Sequence, residues 1–165
     1  MMRLFVTGLI AIALCSSVAV TAQSSQSKTA NLKVSATVVA NCIVTTTDVN
    51  FGNYDPVGVN ATAPLDATGS VTLACTRGTL ARVAMSYGAN ASGNTRRMAN
   101  GPSLLTYELH INAQRASPWN SPYTFTGGAA PSSAPRTMTV YGRVLQAQDV
   151  PPGAYADTVL VIVTF

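Results

Sequence analysis

Charge is what this sequence has least of. Ten Lys and Arg and six Asp and Glu make up 10% of 165 residues, against roughly a quarter in an ordinary globular domain. A nucleic-acid binder needs a dense basic patch with interleaved aromatics. Here the basic residues are scattered, and the only adjacent pair, Arg96-Arg97, reads as ordinary solvated charge. Histidine occurs once, as His110 in Leu109-His110-Ile111-Asn112, with no HExxH or CxxC beside it. It reads as a surface or edge histidine of a strand, on the face opposite Leu109 and Ile111. There is no GxSxG and no glycine-rich loop before a helix to cradle a phosphate. The six acids, Asp48, Asp55, Asp66, Glu108, Asp149 and Asp157, stand singly, which gives no paired-carboxylate reading. These absences argue against an enzyme, a cofactor, a metal, a nucleic-acid partner and a small-molecule substrate. Disorder is argued against by the 47% hydrophobic content. The length fits one domain with an extension.

Only the N-terminus carries a long apolar run that reads as an address. Met1-Met2-Arg3 precedes an almost wholly apolar stretch from Leu4 to Val20, closed by Val20-Thr21-Ala22. Residues 1–22 read as a secretory signal peptide cleaved after Ala22. The run is short for a membrane anchor and is broken by Gly8 and Ser16-Ser17. Cys15 leaves with it, so two of three cysteines remain, Cys42 and Cys75. An even pair in an exported chain points to a disulfide, worth about 3–4 kcal/mol by loop entropy. A metal site would need more ligands than the pair provides.

The rest alternates with period two. Ala30, Leu32, Val34, Ala36 and Val38 share one face of a strand, with Asn31, Lys33, Ser35 and Thr37 on the other. Cys42-Ile43-Val44 and Val49-Asn50-Phe51 follow, then a loop expected over Asp55 to Gly69. Further strands are expected at Ser70–Thr76, Ala81–Tyr87, Leu105–Ile111 and Arg136–Val144, with a short one at Tyr123-Thr124-Phe125. Gly88–Gly101 is turn-rich, and Ser117–Pro135 is a long loop with four prolines. Trp119 in that loop is the best candidate for a surface contact, with folding back onto the body as the equal alternative. Asp157 is expected to cap backbone donors, and Tyr141 and Tyr155 to be core or corner residues. No helical periodicity and no internal repeat is evident. Seven to nine short strands separated by turns imply an all-β antiparallel sandwich.

Two features of this pattern belong together. The stretch from Tyr155 to Phe165 reads as a last strand, and Thr158–Phe165 has no polar face, which suits the middle of a sheet. No later residues are there to pair with it, and an open apolar edge is an aggregation liability. At the other end, the alternating strand follows a polar leader and could reach away from the body. The pattern leaves two readings: this strand pairs within its own sheet, or it is donated to another molecule by β-augmentation.

Several motifs bear on that choice. They are Cys42-Ile43-Val44 after the alternating strand, Phe51-Gly52-Asn53-Tyr54, Val71-Thr72-Leu73-Ala74-Cys75-Thr76, Gly88 with Asn90, and Arg97-Met98. They continue with Leu105-Thr106-Tyr107-Glu108-Leu109, Val140-Tyr141-Gly142-Arg143, and the ending Gly153-Ala154-Tyr155-Ala156-Asp157-Thr158 before the apolar run. In their order and spacing the chain resembles the spore coat protein U family, to which the subunits of archaic (Csu-type) chaperone–usher pili also belong. The resemblance implies an incomplete immunoglobulin-like sandwich lacking its last strand. A periplasmic chaperone would lend that strand, and the next subunit's N-terminal extension would replace it at an outer-membrane usher. Residues 23–40 would be the donor extension and residues 41–165 the sandwich. Leu32, Val34, Ala36 and Val38 would be the plugs, with Ala30 at the margin. Val159, Val161, Val163 and Phe165 would face the acceptor groove, with the Phe165 carboxylate gripped by the chaperone. Cys42 and Cys75 would form the family disulfide. Ala30 and Ala36 are small for plugs, which implies a looser fit or shallower pockets. The implied role is an exported subunit of a surface fibre, polymerised with the same or related subunits, for adhesion and biofilm. The alternative is a spore-coat or surface-layer protein deposited without pilus assembly.

The signal-peptide reading fixes one outcome. Intact mass of the exported protein is expected to match a chain beginning at Gln23, and retention of residues 1–22 would contradict it.

Overall fold

The computed structural model describes residues 24–119, 123–124 and 128–165, so the signal-peptide segment 1–22 and Phe125 lie outside the described residues. The chain divides into two units, Met1–Ala36 and Thr37–Phe165. In the first, residues 24–36 form neither helix nor strand and are exposed. Alternation alone does not make a strand, because each strand needs a neighbour to receive its backbone donors and acceptors.

The second unit is all-β. Its strands are β1 (Cys42–Thr47), β2 (Leu65–Cys75), β3 (Arg82–Met85), β4 (Arg96–Asn100), β5 (Ser103–His110), β6 (Tyr123–Thr124), β7 (Arg136–Val144) and β8 (Val161–Thr164), with one short 3₁₀ turn at Val59–Ala61. They form a five-stranded sheet in the order β1-β2-β7-β5-β4 and a three-stranded sheet in the order β6-β3-β8. Every pairing is antiparallel. Period-two alternation decides which side chains meet between the sheets. Val71 and Leu73 of β2, Leu105 and Leu109 of β5, and Val140 and Val144 of β7 face Val83 and Met85 of β3 in one buried core.

Cys42 and Cys75 are directly opposed at the end of the β1–β2 ladder and are disulfide-bonded. Beyond β1 the chain crosses the inner face of the large sheet, over glycines. A Cβ on Gly142 would stand 2.6 Å from Val49 Cγ1 and 2.8 Å from Phe51 Cζ. A Cβ on Gly69 would stand 2.8 Å from Val49 Cγ2. These glycines are in strands because another piece of chain needs their side-chain space.

Several boundaries depart from the sequence expectation. β2 begins at Leu65, inside the expected loop, because it pairs with β7 from Leu65↔Val144 onward. The turn-rich stretch before Gly101 contains β4, which has little alternation of its own and is held by five pairings to β5. The expected last strand, Tyr155–Phe165, is regular only over Val161–Thr164, where β3 lies alongside. Arg96, read as solvated, is 3% exposed. It donates to the carbonyls of Ser86, Met85 and Trp119 at 3.0, 3.3 and 2.8 Å. Trp119 is buried rather than offered to a partner, and its Nε1 donates to Val83 O at 3.1 Å.

The disulfide closes a loop with a separation of 33 residues. Replacing both cysteines by serine is expected to lower stability by about 3–4 kcal/mol, read as the shift in a urea unfolding curve.

Candidate functional site

The two sheets differ in width, and the difference leaves the core uncovered along one side. Register places Val44 opposite Leu73 on the inner face. Leu73 is 1% exposed while Val44 is 42% exposed. Further along the same two strands, Thr46, Thr47, Ser70 and Val71 border a groove of about 1480 Å³. Its floor includes Val71, Met85, Leu109 and Val140. Val49 and Phe51 form one wall, and Val159 and Val161 the other. Phe51 packs edge-on against Tyr107, with ring centroids 6.2 Å apart, so the first wall is braced against the core.

The second wall is the chain entering β8. β8 pairs with β3 on one side and is an edge strand of its sheet. Val159, Val161 and Val163 are half-buried and pack against the core, while Leu160 and Ile162 point away and are 64% and 51% exposed. Phe165 has the same parity as the three valines but lies beyond β8 and is 54% exposed. An edge strand carrying apolar side chains beside an open apolar groove is a ready template for another strand.

Polar bonds fix several side chains that line the groove. Tyr54 OH donates to Leu145 O at 3.0 Å and accepts from Gln148 N at 2.9 Å. The Asp157 carboxylate accepts from Tyr107 OH at 2.7 Å, and from Asn90 N and Nδ2 at 3.1 and 3.0 Å. Burial, and then the bond to Asp157, push the Tyr107 phenol far above its ordinary range, so it stays a donor. Asp157 does cap a backbone donor, but one 67 positions away in sequence.

The residues expected as plugs are all outward. Leu32, Val34 and Val38 are 88%, 86% and 83% exposed, and Ala30 and Ala36 are exposed as well. From Val39 the backbone is tied to the body, where Thr76 Oγ1 donates to Val39 O at 3.1 Å and Thr76 N donates to Asn41 O at 2.9 Å. Sequence reading missed the wall formed by Val49 and Phe51. The signal was available in Gly69 and Gly142, which interrupt otherwise good strands.

His110 lies away from the groove and is 2% exposed, not a surface group. The chain after β5 returns beside it through the His110↔Pro118 bridge. Its Nε2 is 3.1 Å from Glu108 Oε2, and its buried Nδ1 has no hydrogen-bond partner among the described residues. Nearby, Asp66 is held between Arg143 Nε at 2.7 Å and Arg115 Nη1 at 3.2 Å. The hydrogen bond from Arg143 leads in lowering the Asp66 carboxyl pKa.

Comparison with known proteins gives three likenesses. The family model described as the Spore Coat Protein U domain matches residues 28–162. "Protein U" of Myxococcus xanthus is 35% identical over 154 residues, spanning 83% of this chain and 84% of that protein. A solved structure is similar with a TM-score of 0.60 and 25% identity over 78% of this chain. It is a chain in the crystal structure of the CsuC–CsuE chaperone–tip adhesion subunit pre-assembly complex, from the archaic chaperone-usher Csu pili of Acinetobacter baumannii. This chain spans 40% of the length of that one. The sandwich is therefore of the immunoglobulin-like pilus-subunit type, with β8 at the edge of its smaller sheet among the described residues.

The buried histidine sets a pH dependence. Burial lowers the His110 pKa below 6.5, with Glu108 opposing. Between that lowered value and about 6.5 the unfolded chain binds more protons than the folded one, so stability rises with pH through this window. The urea midpoint is expected to climb from pH 5 to pH 7 and to lose that part of its slope in His110→Gln.

Proposed function

Because the chain belongs to the Spore Coat Protein U domain family, we propose that it is an exported structural subunit of a surface fibre, joined to its neighbours by donor strands. The observation that carries this is the pairing of an open apolar groove with an exposed alternating apolar segment in one chain. Leu32 to Val38 extended spans about 20 Å, as does the groove wall from Tyr155 to Val161. The groove volume, about 1480 Å³, exceeds the roughly 300–1,000 Å³ of a small-molecule pocket. A strand fits it better than a metabolite does.

In this reading residues 23–40 are the donor extension and residues 41–165 the acceptor body. Leu32, Val34, Ala36 and Val38 of one subunit enter the groove of the next, with Ala30 at the margin. They lie along Val159, Val161, Val163 and Phe165. Burial of Leu32, Val34 and Val38 contributes roughly 1.5–3 kcal/mol each. The added backbone ladder satisfies the edge of β8. Before assembly a periplasmic chaperone covers the same groove, and an outer-membrane usher is where subunit strand replaces chaperone strand. The exchange needs no nucleotide, since better packing drives it downhill. Each subunit has one donor and one acceptor, so the contact is head-to-tail and does not close. The fibre serves adhesion and biofilm formation. The family name and the likeness to Protein U favour a second reading, a coat protein deposited without pilus assembly.

The test is a denaturing gel of the exported protein, produced with its chaperone, run unboiled and boiled. A ladder that collapses on boiling is expected, and Leu32→Asp with Val34→Asp is expected to abolish it. A single monomer band in every lane, or a ladder that survives deletion of residues 23–40, would sink donor-strand assembly and leave the coat reading.

A further inference from the structure

The groove's second wall is held in an unusual way. Between Tyr155 and Val161 the chain passes from the large sheet to the small one. Ala156 exchanges both backbone bonds with Ala99 at the end of β4, at 2.9 and 3.1 Å. Ala89 N then donates to Thr158 O at 3.1 Å, and Ser86 N to Leu160 O at 2.9 Å. The bond back from Leu160 N goes to a side chain, Ser86 Oγ, at 2.9 Å. Regular pairing with β3 begins only at Val161. Over the span that borders the groove, one carboxylate adds side-chain ties to two further parts of the fold.

That carboxylate is Asp157. Its two oxygens reach partners from separate parts of the fold: Tyr107 on β5 of the large sheet, and Asn90 on the loop between β3 and β4. Asn90 is itself fixed, since its Nδ2 donates to Ala156 O at 3.3 Å and its carbonyl accepts from Arg97 Nε at 2.9 Å. Gly88 completes the arrangement. Its φ of +92° is one that side-chain-bearing residues rarely adopt, and a Cβ there would collide with the Asp157 carboxylate. Gly88, Asn90, Arg97, Tyr107 and Asp157 come from four separate motifs of the sequence, and one clip accounts for all of them.

We propose that Asp157, acting through Tyr107 and Asn90, is the positioning residue that keeps the groove wall at strand-accepting distance before a strand arrives. The wall is pinned by polar bonds on its core side, which leaves its outer edge to the incoming strand. Unpinning it lowers the fraction of molecules whose groove is competent, and capture slows by that fraction. This rests on the donor-strand reading.

The test uses the full exported chain and a fluorescein-labelled synthetic peptide with the sequence of residues 28–40. Capture is followed by anisotropy, dissociation by chase with unlabelled peptide, and folding by thermal melting. Asp157→Asn and Tyr107→Phe are each expected to slow capture about tenfold. The double variant is expected to be little slower than either single one, because both break the same clip. Dissociation of peptide already captured is expected to change less than twofold. Tyr107→Phe keeps the ring packed on Phe51 and carries the test if Asp157→Asn fails to fold. Capture within twofold of the parent overturns the proposal, whatever the melting temperature does. So does a variant whose melting temperature falls and whose dissociation quickens with capture unchanged, since that is a structural role. A parent chain that captures no peptide refutes the donor-strand reading itself and this proposal with it.

Discussion

A β-strand has two edges, and an apolar strand with one edge open is the constraint on which this structure turns. β8 satisfies its first edge with β3 and lines an uncovered core with the side chains beside its second. Closing that edge inside the chain would give an ordinary sandwich. Among the described residues five strands form one sheet and three the other, and Val44 and Thr46 of β1 stay exposed. The exposed stripe of Leu32, Val34 and Val38 states the same imbalance from the other end of the chain. Each half is unfavourable in water, and the proposed donor-strand contact would satisfy both at once.

A body with an incomplete core needs its walls held by something other than packing. Directional polar bonds do this. Tyr54 and Gln148 tie the approach to the groove, and Gln148 also bonds both backbone groups of Thr106, accepting at 2.7 Å and donating at 2.9 Å. Buried Arg96 gathers carbonyls from Met85, Ser86 and Trp119, and its guanidinium stands 5.2 Å from the Tyr87 ring centre. A guanidinium carries donors in a rigid fork and keeps its charge, so one residue can fasten several carbonyls. Arg96 is thus a charged residue used as an internal fastener.

Much of this was legible in the residues. Alternation located β2, β5 and β7 and identified their inward faces, because side-chain parity is a local property. The disulfide followed from an even cysteine pair in a chain read as exported. The alternating segment from Ala30 to Val38 and the apolar run ending at Phe165 were both visible as oddities, and the family motifs linked them. What failed was the environment of single polar residues. Arg96 and His110 were each read from neighbours in sequence, while their burial comes from chain that returns over them from elsewhere. For Trp119 the structure decides between two open readings in favour of folding back onto the body.

The sequence alone determined the class, the parity of the long strands, and the presence of a free apolar segment, since all three depend on spacing along the chain. Only the tertiary structure decided where the core is open, and that β4 is a strand despite its weak pattern. It also showed that Val49 and Phe51 form a wall over Gly69 and Gly142, and that Asp157 bonds to Tyr107 and Asn90. These depend on which strands become neighbours and on where a missing side chain admits another, and pairing across 50 or 67 positions leaves no local trace.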